Sequence, residues 1–271
     1  AAQAIGDIQN PSFYHGLERL LKDEHLLVRQ TALQAAGELG APQLLKLTLA
    51  SLSEPQLESV ALRALRQSGP SALDELWEAY NQEEQSYRIR RHIIVLLGTM
   101  KDTACNEKLF NLLNSQAAQL QEEILYALRA SDFKVQTKHL ELIDERINQE
   151  GRKAIAMLQA LETYSGATMA GAILLCETLQ HEFEKIIERM LLIACWLTST
   201  FPFRRMYESI LLGQTKDIAF YCELIEQTLP NQFAKRLIPL IEPLDRATRI
   251  QKLANIHNEQ LVDPLSNLTM M

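Results

Sequence analysis

The stretch DEHLLVRQTALQAAGELG, residues 23–40, indicates the fold class, because it carries a helical pattern that recurs along the chain. Its small pair Ala35-Ala36 belongs to a column of small or apolar pairs spaced about 31 residues apart, and such a period is typical of repeat proteins. Glycines follow the first, second and fourth of these pairs, at Gly6, Gly37 and Gly98. The column consists of Ala4-Ile5, Ala35-Ala36, Ala64-Leu65, Leu96-Leu97, Ala127-Leu128 and Ala160-Leu161.

Each period contains two amphipathic helices. Apolar residues recur at i, i+3, i+4 and i+7, and no strand-like alternation is sustained. In the clearest period, Ser53-Glu54-Pro55 separates the two helices and Gly69-Pro70 ends the second. Comparable stops stand at Gly40-Ala41-Pro42, Lys101-Asp102 and Ser131-Asp132. We therefore predict an all-α fold, an α-solenoid of short antiparallel helix pairs.

The predicted solenoid has a regular and an irregular part. We expect regular repeats over residues 1–165 and an irregular helical continuation of the same stack over 166–271. No Ser/Gly-rich linker separates the two parts. In the second part we expect helices at about 168–180, 183–199, 203–212, 216–228, 231–242 and 245–257.

Composition restricts the class of partner. The 271 residues carry a formal net charge of -7 and a pI of about 5.5, which disfavours nucleic acid because duplex-binding proteins usually present a basic face. The four cysteines stand far apart in apolar runs, and we expect buried free thiols in a reducing compartment. No signal peptide is visible, and the longest apolar run, residues 190–203, is too short to cross a membrane. We expect a cytoplasmic location.

The motifs of catalytic and cofactor sites are absent from the sequence. It contains no HExxH, no GxxxxGK[ST], no GxGxxG after a strand and no GxSxG. The histidines are never three or four residues apart, and we expect them on the surface. We predict no enzymatic activity, no metal and no cofactor. A basic cluster at residues 88–92 and Arg204-Arg205 is either a docking patch for an acidic partner or phospholipid, or a set of solvated helix ends.

One set of positions on the second helices is typical of a binding surface. Counted in register with the small pairs, it mixes amide, guanidinium, aliphatic and aromatic side chains. We predict that these residues share one concave face and dock a protein or peptide segment, which can belong to the parent chain or to another protein. The first row is Gln34, Arg63, Val95, Tyr126 and Gln159, and a neighbouring row is Gln30, Ser59 and Arg91.

Residues 23–40 resemble the HEAT repeat, in which an Asp ends the first helix and a Val-Arg opens the second. Asp23 and Val28-Arg29 match that pattern, and the short period is similar to the lyase-type variety of the repeat. The resemblance covers about residues 1–165 and is specific in the first repeat and in the third, where Arg88-Ile89-Arg90 replaces Val-Arg. Glu58 and Gln121 stand where Arg29 would be repeated, so we expect an interrupted Asp/Arg ladder.

Residues 219–230, AFYCELIEQTLP, and 237–242, LIPLIE, resemble the HEAT-containing soluble region of bacterial membrane proteins related to ATP/ADP translocases. The resemblance implies a transporter-like membrane part before the stack, so that the chain meets a membrane only through its parent protein. Because residue 1 falls just before Ala4-Ile5, inside a second helix, we expect a fragment of a longer protein.

Together these patterns favour a non-catalytic protein–protein interaction or scaffold module. Two alternatives remain at this point. A HEAT-fold enzyme would be a bilin lyase/isomerase or a DNA glycosylase, and the glycosylase requires a basic concave face. A structural spacer between domains would have a polar concave face with no groove.

Overall fold

The computed structural model describes residues 14–82, 84–115, 120–166, 168–198 and 201–257, and its regular secondary structure there is entirely helical. The predicted all-α class is confirmed. The chain divides into two compact units, Ala1–Phe133 and Lys134–Met271, each with its own set of buried apolar side chains. The repeat positions Ala4-Ile5 and Gly6 lie outside the described residues.

The first unit is built from helix pairs. In each pair the two helices pack on each other, and the second helices α2, α4, α6 and α8 also pack on one another in sequence. Short 3₁₀ turns at Ser51–Ser53 and Gly69–Ala72 connect some of them. The helices are α1 (Tyr14–Leu21), α2 (Leu26–Leu39), α3 (Pro42–Ala50), α4 (Glu58–Ser68), α5 (Leu73–Tyr80), α6 (Tyr87–Thr99), α7 (Thr103–Ser115) and α8 (Gln121–Ala130).

A residue with positive φ follows each of the second helices: Gly40 at 55°, Gly69 at 58°, Lys101 at 50° and Asp132 at 57°. A positive φ breaks the helical backbone. Gly40 adopts the left-handed helical conformation with ψ of 26°, whereas Gly69 has ψ of -141°, a region that essentially only glycine enters. Lys101 Nζ also donates to Asp132 Oδ2 at 2.8 Å, which links one helix end to the next. The helix stops predicted at these positions are confirmed.

The glycine column marks close contacts between second helices. A Cβ placed on Gly37 of α2 would lie 2.5 Å from the Ala64 Cα of α4, and one on Gly98 of α6 would lie 2.6 Å from the Ala127 Cα of α8. The backbones therefore touch at these two junctions. Between α4 and α6, Arg66 stands in the glycine position, and the helices contact each other more sparsely. The tight junction thus recurs at every second repeat.

The second unit is dominated by two long helices. They run antiparallel, since Glu150 of the first pairs with Arg189 of the second while Tyr164 faces Cys176. The shorter helices pack on this hairpin, with α14 against α9 and α13 against both. After a 3₁₀ turn at Thr137–His139 come α9 (Leu140–Tyr164), α10 (Ala170–Leu197), α11 (Phe203–Leu211), α12 (Thr215–Thr228), α13 (Asn231–Ile241) and α14 (Arg246–His257).

Two predictions about these long helices were wrong. A helix pair was expected before residue 165, and α9 is a single helix of 25 residues. Two helices, 168–180 and 183–199, were expected where α10 is one helix of 28 residues. The four later helices lie within a residue of their predicted ends. Gly151 is compatible with the interior of α9 because His257 fills the space beside it: a Cβ there would lie 2.1 Å from His257 Nε2.

A buried ion cluster ties α9 to α10. The Glu150 side chain is 0% exposed and accepts from Arg189 Nε at 2.9 Å and Lys153 Nζ at 3.0 Å, with Arg146 Nε at 3.5 Å. Burial alone would raise the pKa of Glu150, but Arg189, Lys153 and Arg146 together hold it below its ordinary value. The carboxylate is therefore ionised inside the core.

Some predictions about cysteines and histidines also need correction. Cys105 is a buried free thiol as expected, but Cys176, Cys195 and Cys222 are only half-buried. Burial raises the pKa of the Cys105 and Cys222 thiols to about 11, with nearby carboxylates acting in the same direction. His139 and His257, expected on the surface, are buried, because His139 caps a turn and His257 packs on α9.

Candidate functional site

Five of the predicted binding residues of the first unit are exposed and lie on successive second helices. Gln34 is on α2, Arg63 on α4, Arg91 and Val95 on α6, and Tyr126 on α8. Val95 and Tyr126 are 43% and 41% exposed, although the residues next to them in the core column are buried. We call these five residues the strip. In the neighbouring row, Ser59 is exposed and Gln30 is half-buried; Gln159 is half-buried on α9 in the second unit.

Two exposed side chains extend the strip and escaped the sequence analysis. Leu27 is 75% exposed and stands seven residues before Gln34 on α2. Tyr87 is 47% exposed and stands four residues before Arg91 on α6. Both spacings place the side chains on the same helix face as the strip. Counting in helical steps from Gln34 and Arg91 would have found them, but the repeat column alone did not.

Ion pairs across repeats run beside the strip. Arg29 of α2 contacts Glu54, just before α4, at 2.7 Å. Glu58 of α4 accepts from Arg88 of α6 and also lies 2.7 Å from His92. The sequence predicted a break in the ladder at Glu58. The structure instead reverses the polarity there, so that the carboxylate belongs to the earlier repeat and the cation to the later one.

The last junction continues this ladder. Arg91 of α6 contacts Glu123 of α8 at 2.9 Å, and the Tyr87 hydroxyl lies 3.3 Å from the same carboxylate. Partly exposed pairs of this kind each contribute about 0–1 kcal/mol, so their effect is mainly on register. They hold α6 and α8 in the relative position that brings Val95 and Tyr126 to the surface.

The basic side chains at residues 88–92 make hydrogen bonds and ion pairs within the chain. Arg88, Arg91 and His92 lie against carboxylates, and Arg90 donates to the Gln82 carbonyl oxygen at 2.7 Å. Burial lowers the pKa of His92, and the Arg88 and Arg91 charges lower it further. These contacts leave the Arg88 and Arg91 side chains 54% and 58% exposed near the start of α6, so the cluster is solvated and its charges are paired within the chain. Arg204 likewise pairs with Glu208. The docking-patch interpretation stays a prediction.

The chemistry available at the strip is that of contact and hydrogen bonding. Among the described residues, no group of three or more His, Cys, Asp and Glu side chains is arranged to hold a metal ion. Within the same residues, no helix combines the length and apolar character needed to cross a membrane.

No protein-family model matches the chain, and no curated protein matches it. The HEAT-repeat assignment and the two family resemblances therefore stay predictions.

Proposed function

We propose that the chain is a non-catalytic protein-binding module, a HEAT-like α-solenoid whose strip docks a protein or peptide segment. One observation carries the proposal: side chains at equivalent repeat positions are exposed on four successive second helices, while their neighbours Ala35, Ala64, Leu96 and Ala127 are buried. A surface repeated at fixed intervals is what an extended partner segment can follow.

The size of the strip fits a single helix or extended segment. Packed helices lie about 8–10 Å apart, so three junctions between α2 and α8 extend over about 30 Å. A bound helix of that length has about 20 residues at 1.5 Å per residue. The exposed Leu27 and Tyr87 add apolar area at the edge of the strip.

Arg63 and Tyr126 are the strongest anchors. Arginine and tyrosine are enriched at binding hot spots because they combine a large contact area with hydrogen bonding. Arg63 is exposed and makes no hydrogen bond or ion pair within the described part of the chain, so its guanidinium is available to a partner. Arg91 contributes less, because Glu123 already holds it.

Peptide selection followed by mutation tests the proposal. Peptides enriched from a displayed library on the wild-type chain should lose at least about tenfold in affinity for Arg63→Ala/Tyr126→Ala, which corresponds to one or two hot-spot side chains. The matched control is Gln43→Ala/Lys46→Ala on the first helix α3, which removes two exposed side chains away from the strip. The free energy of unfolding of both variants should lie within about 0.5 kcal/mol of the wild-type value, as is usual for substitutions at exposed sites.

Hydrogen exchange of the peptide complex locates the site. Protection confined to α2, α4, α6 and α8 supports the strip. Equal affinity for both variants, or protection confined to the first helices, would contradict it. A chain that enriches no peptide at all is the outcome expected of a structural spacer.

A further inference from the structure

A second row of side chains follows one face of α10 in the second unit. Its members recur in steps of four and three residues, the spacing of a seam on which another helix packs. The row begins at Met169, the residue before the helix, and continues into the core. It consists of Met169, Ile173, Cys176, Gln180, Phe183 and Ile187.

Within the described residues, the C-terminal half of this row is covered and the N-terminal half is exposed. Phe183 and Ile187 are each 3% exposed, while Ile173 is 49% and Met169 is 77% exposed. From residue 170 to residue 181 the structure buries none of the α10 side chains fully. Such a run of exposed apolar side chains at the start of a helix is unusual in a folded protein.

A cavity joins the covered and uncovered halves of the row. It has a volume of about 440 Å³ and is lined by Gln180, Phe183 and Ile187 of α10 together with Ile218 and Leu240. Leu211, which is 48% exposed, also lines it, and the adjacent Leu212 is 71% exposed. The exposed face of α10 therefore leads into a groove within the second unit whose lining is both apolar and polar. Glu184 and Arg249 stand in it beside the apolar side chains, and the Arg249 guanidinium lies 5.9 Å from the centroid of the Phe183 ring.

Carboxylates border this row. Glu177 and Glu184 each stand one residue after a member of the row, seven residues apart, where flanking charges choose the partner of a packed helix. Glu184 Oε1 accepts a hydrogen bond from the neutral amide of Gln180, whose Nε2 lies 3.0 Å away. From Ala154 to Glu184 the sequence contains four Glu and neither Lys nor Arg.

We propose that the groove along α10 binds a basic amphipathic helix of another protein, with the partner's apolar face on the Met169–Ile187 row and its Lys or Arg side chains against Glu177 and Glu184. The row extends over 18 residues of helix, about 27 Å at 1.5 Å per residue, and a partner of similar length would cover it. This surface is separate from the strip and does not depend on it.

The charges distinguish this partner from other occupants of an apolar face. An interfacial helix that binds an anionic membrane is rich in Lys and Arg on its polar side, the opposite of residues 154–184. A second copy laid along the row would bring carboxylates to carboxylates at its flanks, which is unfavourable. A basic amphipathic helix can place its apolar side on the row and its Lys or Arg side chains against the carboxylates that border it.

Fluorescence anisotropy with three designed peptides tests the proposal on the full chain. The first is a labelled 18-residue amphipathic helix of Leu and Lys; the second has Glu in place of Lys; the third permutes the first so that its apolar face is lost. We expect binding of the first alone, weakening as salt rises. Equal binding of the permuted peptide would show nonspecific charge attraction and would contradict the proposed binding in the groove.

Two matched variants locate the contact on one face of α10. Ile173→Asp places a charge in the row and should weaken binding at least about tenfold. Leu174→Asp adds the same charge one residue away, on an exposed side chain outside the row, and should change affinity less than about twofold. Since each variant adds a negative charge, electrostatics alone would strengthen binding in both. Equal losses in the two variants would refute the proposal.

A third variant tests the acidic border. Glu177→Gln/Glu184→Gln should weaken binding several-fold and flatten the salt dependence. An unchanged affinity with an unchanged salt dependence would show that these carboxylates do not contact the peptide.

Two further measurements test a second copy or a membrane as the occupant of the groove. Light scattering measures dimerisation, and sedimentation with phosphatidylcholine–phosphatidylglycerol vesicles measures membrane binding. A wild-type dimer that Ile173→Asp dissociates, or vesicle binding lost in that variant, would replace the basic helix with a second copy or a membrane.

Discussion

Gly37 and Gly98 set how closely the second helices approach, and they can be tested directly. A methyl group at either position would lie 2.5–2.6 Å from the Cα of an alanine on the next second helix, and a backbone atom cannot move aside as a flexible side chain can. We expect Gly37→Ala and Gly98→Ala each to lower the free energy of unfolding by about 1–3 kcal/mol, despite the better helix propensity of alanine. Urea denaturation with an unchanged m-value measures the loss.

The control for these variants is Gly171→Ala. Gly171 is also helical, but nothing lies within 4 Å of a Cβ placed on it. Alanine there should leave stability unchanged or raise it by up to about 1 kcal/mol. If Gly37→Ala proved as harmless as Gly171→Ala, the close contact between α2 and α4 would be excluded.

Glu150 is the residue whose charge matters most inside the second unit. Glu150→Gln removes the carboxylate that Arg146 and Arg189 share, while both guanidinium groups stay largely buried. Breaking a buried ion pair from one side typically costs about 3–5 kcal/mol, and we expect a loss of that size in the free energy of unfolding at pH 7. The control Glu78→Gln, at the exposed pair with Lys46, should cost no more than about 1 kcal/mol.

The same residue predicts how the loss depends on pH. The folded-state pKa of Glu150 lies below its ordinary value of 4.5, so its ionisation stabilises the fold fully above that value. The contribution is lost as pH falls through the lower, folded-state pKa. The stability difference between wild type and Glu150→Gln should therefore stay constant from neutral pH to about 5 and shrink in more acidic solution. A difference that persisted unchanged at pH 2 would mean that folding does not lower the pKa of Glu150.

At the scale of helices, the sequence predicted ends wherever the chain itself forces one. Gly40 and Gly69 mark real ends because each has a positive φ, which breaks the helical backbone. The sequence pattern predicted a break between residues 180 and 183, yet His181 and Glu182 are neither proline nor glycine, and α10 continues through them. Polar residues can stay helical when they find partners, as Glu150 does with Arg189, 39 residues away in sequence. Such long-range pairing is not visible in the pattern of a single sequence.

The exposed positions of the candidate site could be predicted from the sequence, but their ion-pair partners could not. The repeat register was sufficient to identify Gln34, Arg63, Val95 and Tyr126 as exposed, because each adjoins a small or apolar residue of the repeat column that is buried. It did not predict that Glu58 pairs with the following repeat, since the side chain that reaches it depends on how α4 and α6 are offset. The exposed face of α10 was hidden for another reason: its apolar sequence looks like any buried helix.

At the scale of the molecule, the two compact units predict where the chain can be divided. Residues 1–133 and 134–271 each contain their own buried apolar side chains and fall within the usual size range of a domain. We expect both fragments, expressed separately, to be helical by circular dichroism and to unfold cooperatively on heating. In the second fragment α9 still packs against α10, α13 and α14, so its core stays complete.

A fragment that begins inside α9 should not fold, in contrast to fragment 134–271. Fragment 151–271 lacks the first half of α9, including the buried Ile143, Ile147 and Glu150, and leaves Arg189 without the carboxylate it contacts at 2.8 Å. Losing two buried isoleucines costs about 2–5 kcal/mol each by analogy with truncation to alanine, which is comparable to the whole stability of a small domain. We therefore expect 151–271 to show no cooperative thermal transition while 134–271 does. If both fragments melted alike, α9 would not belong to the core of the second unit, and the boundary would have to move towards Gly151.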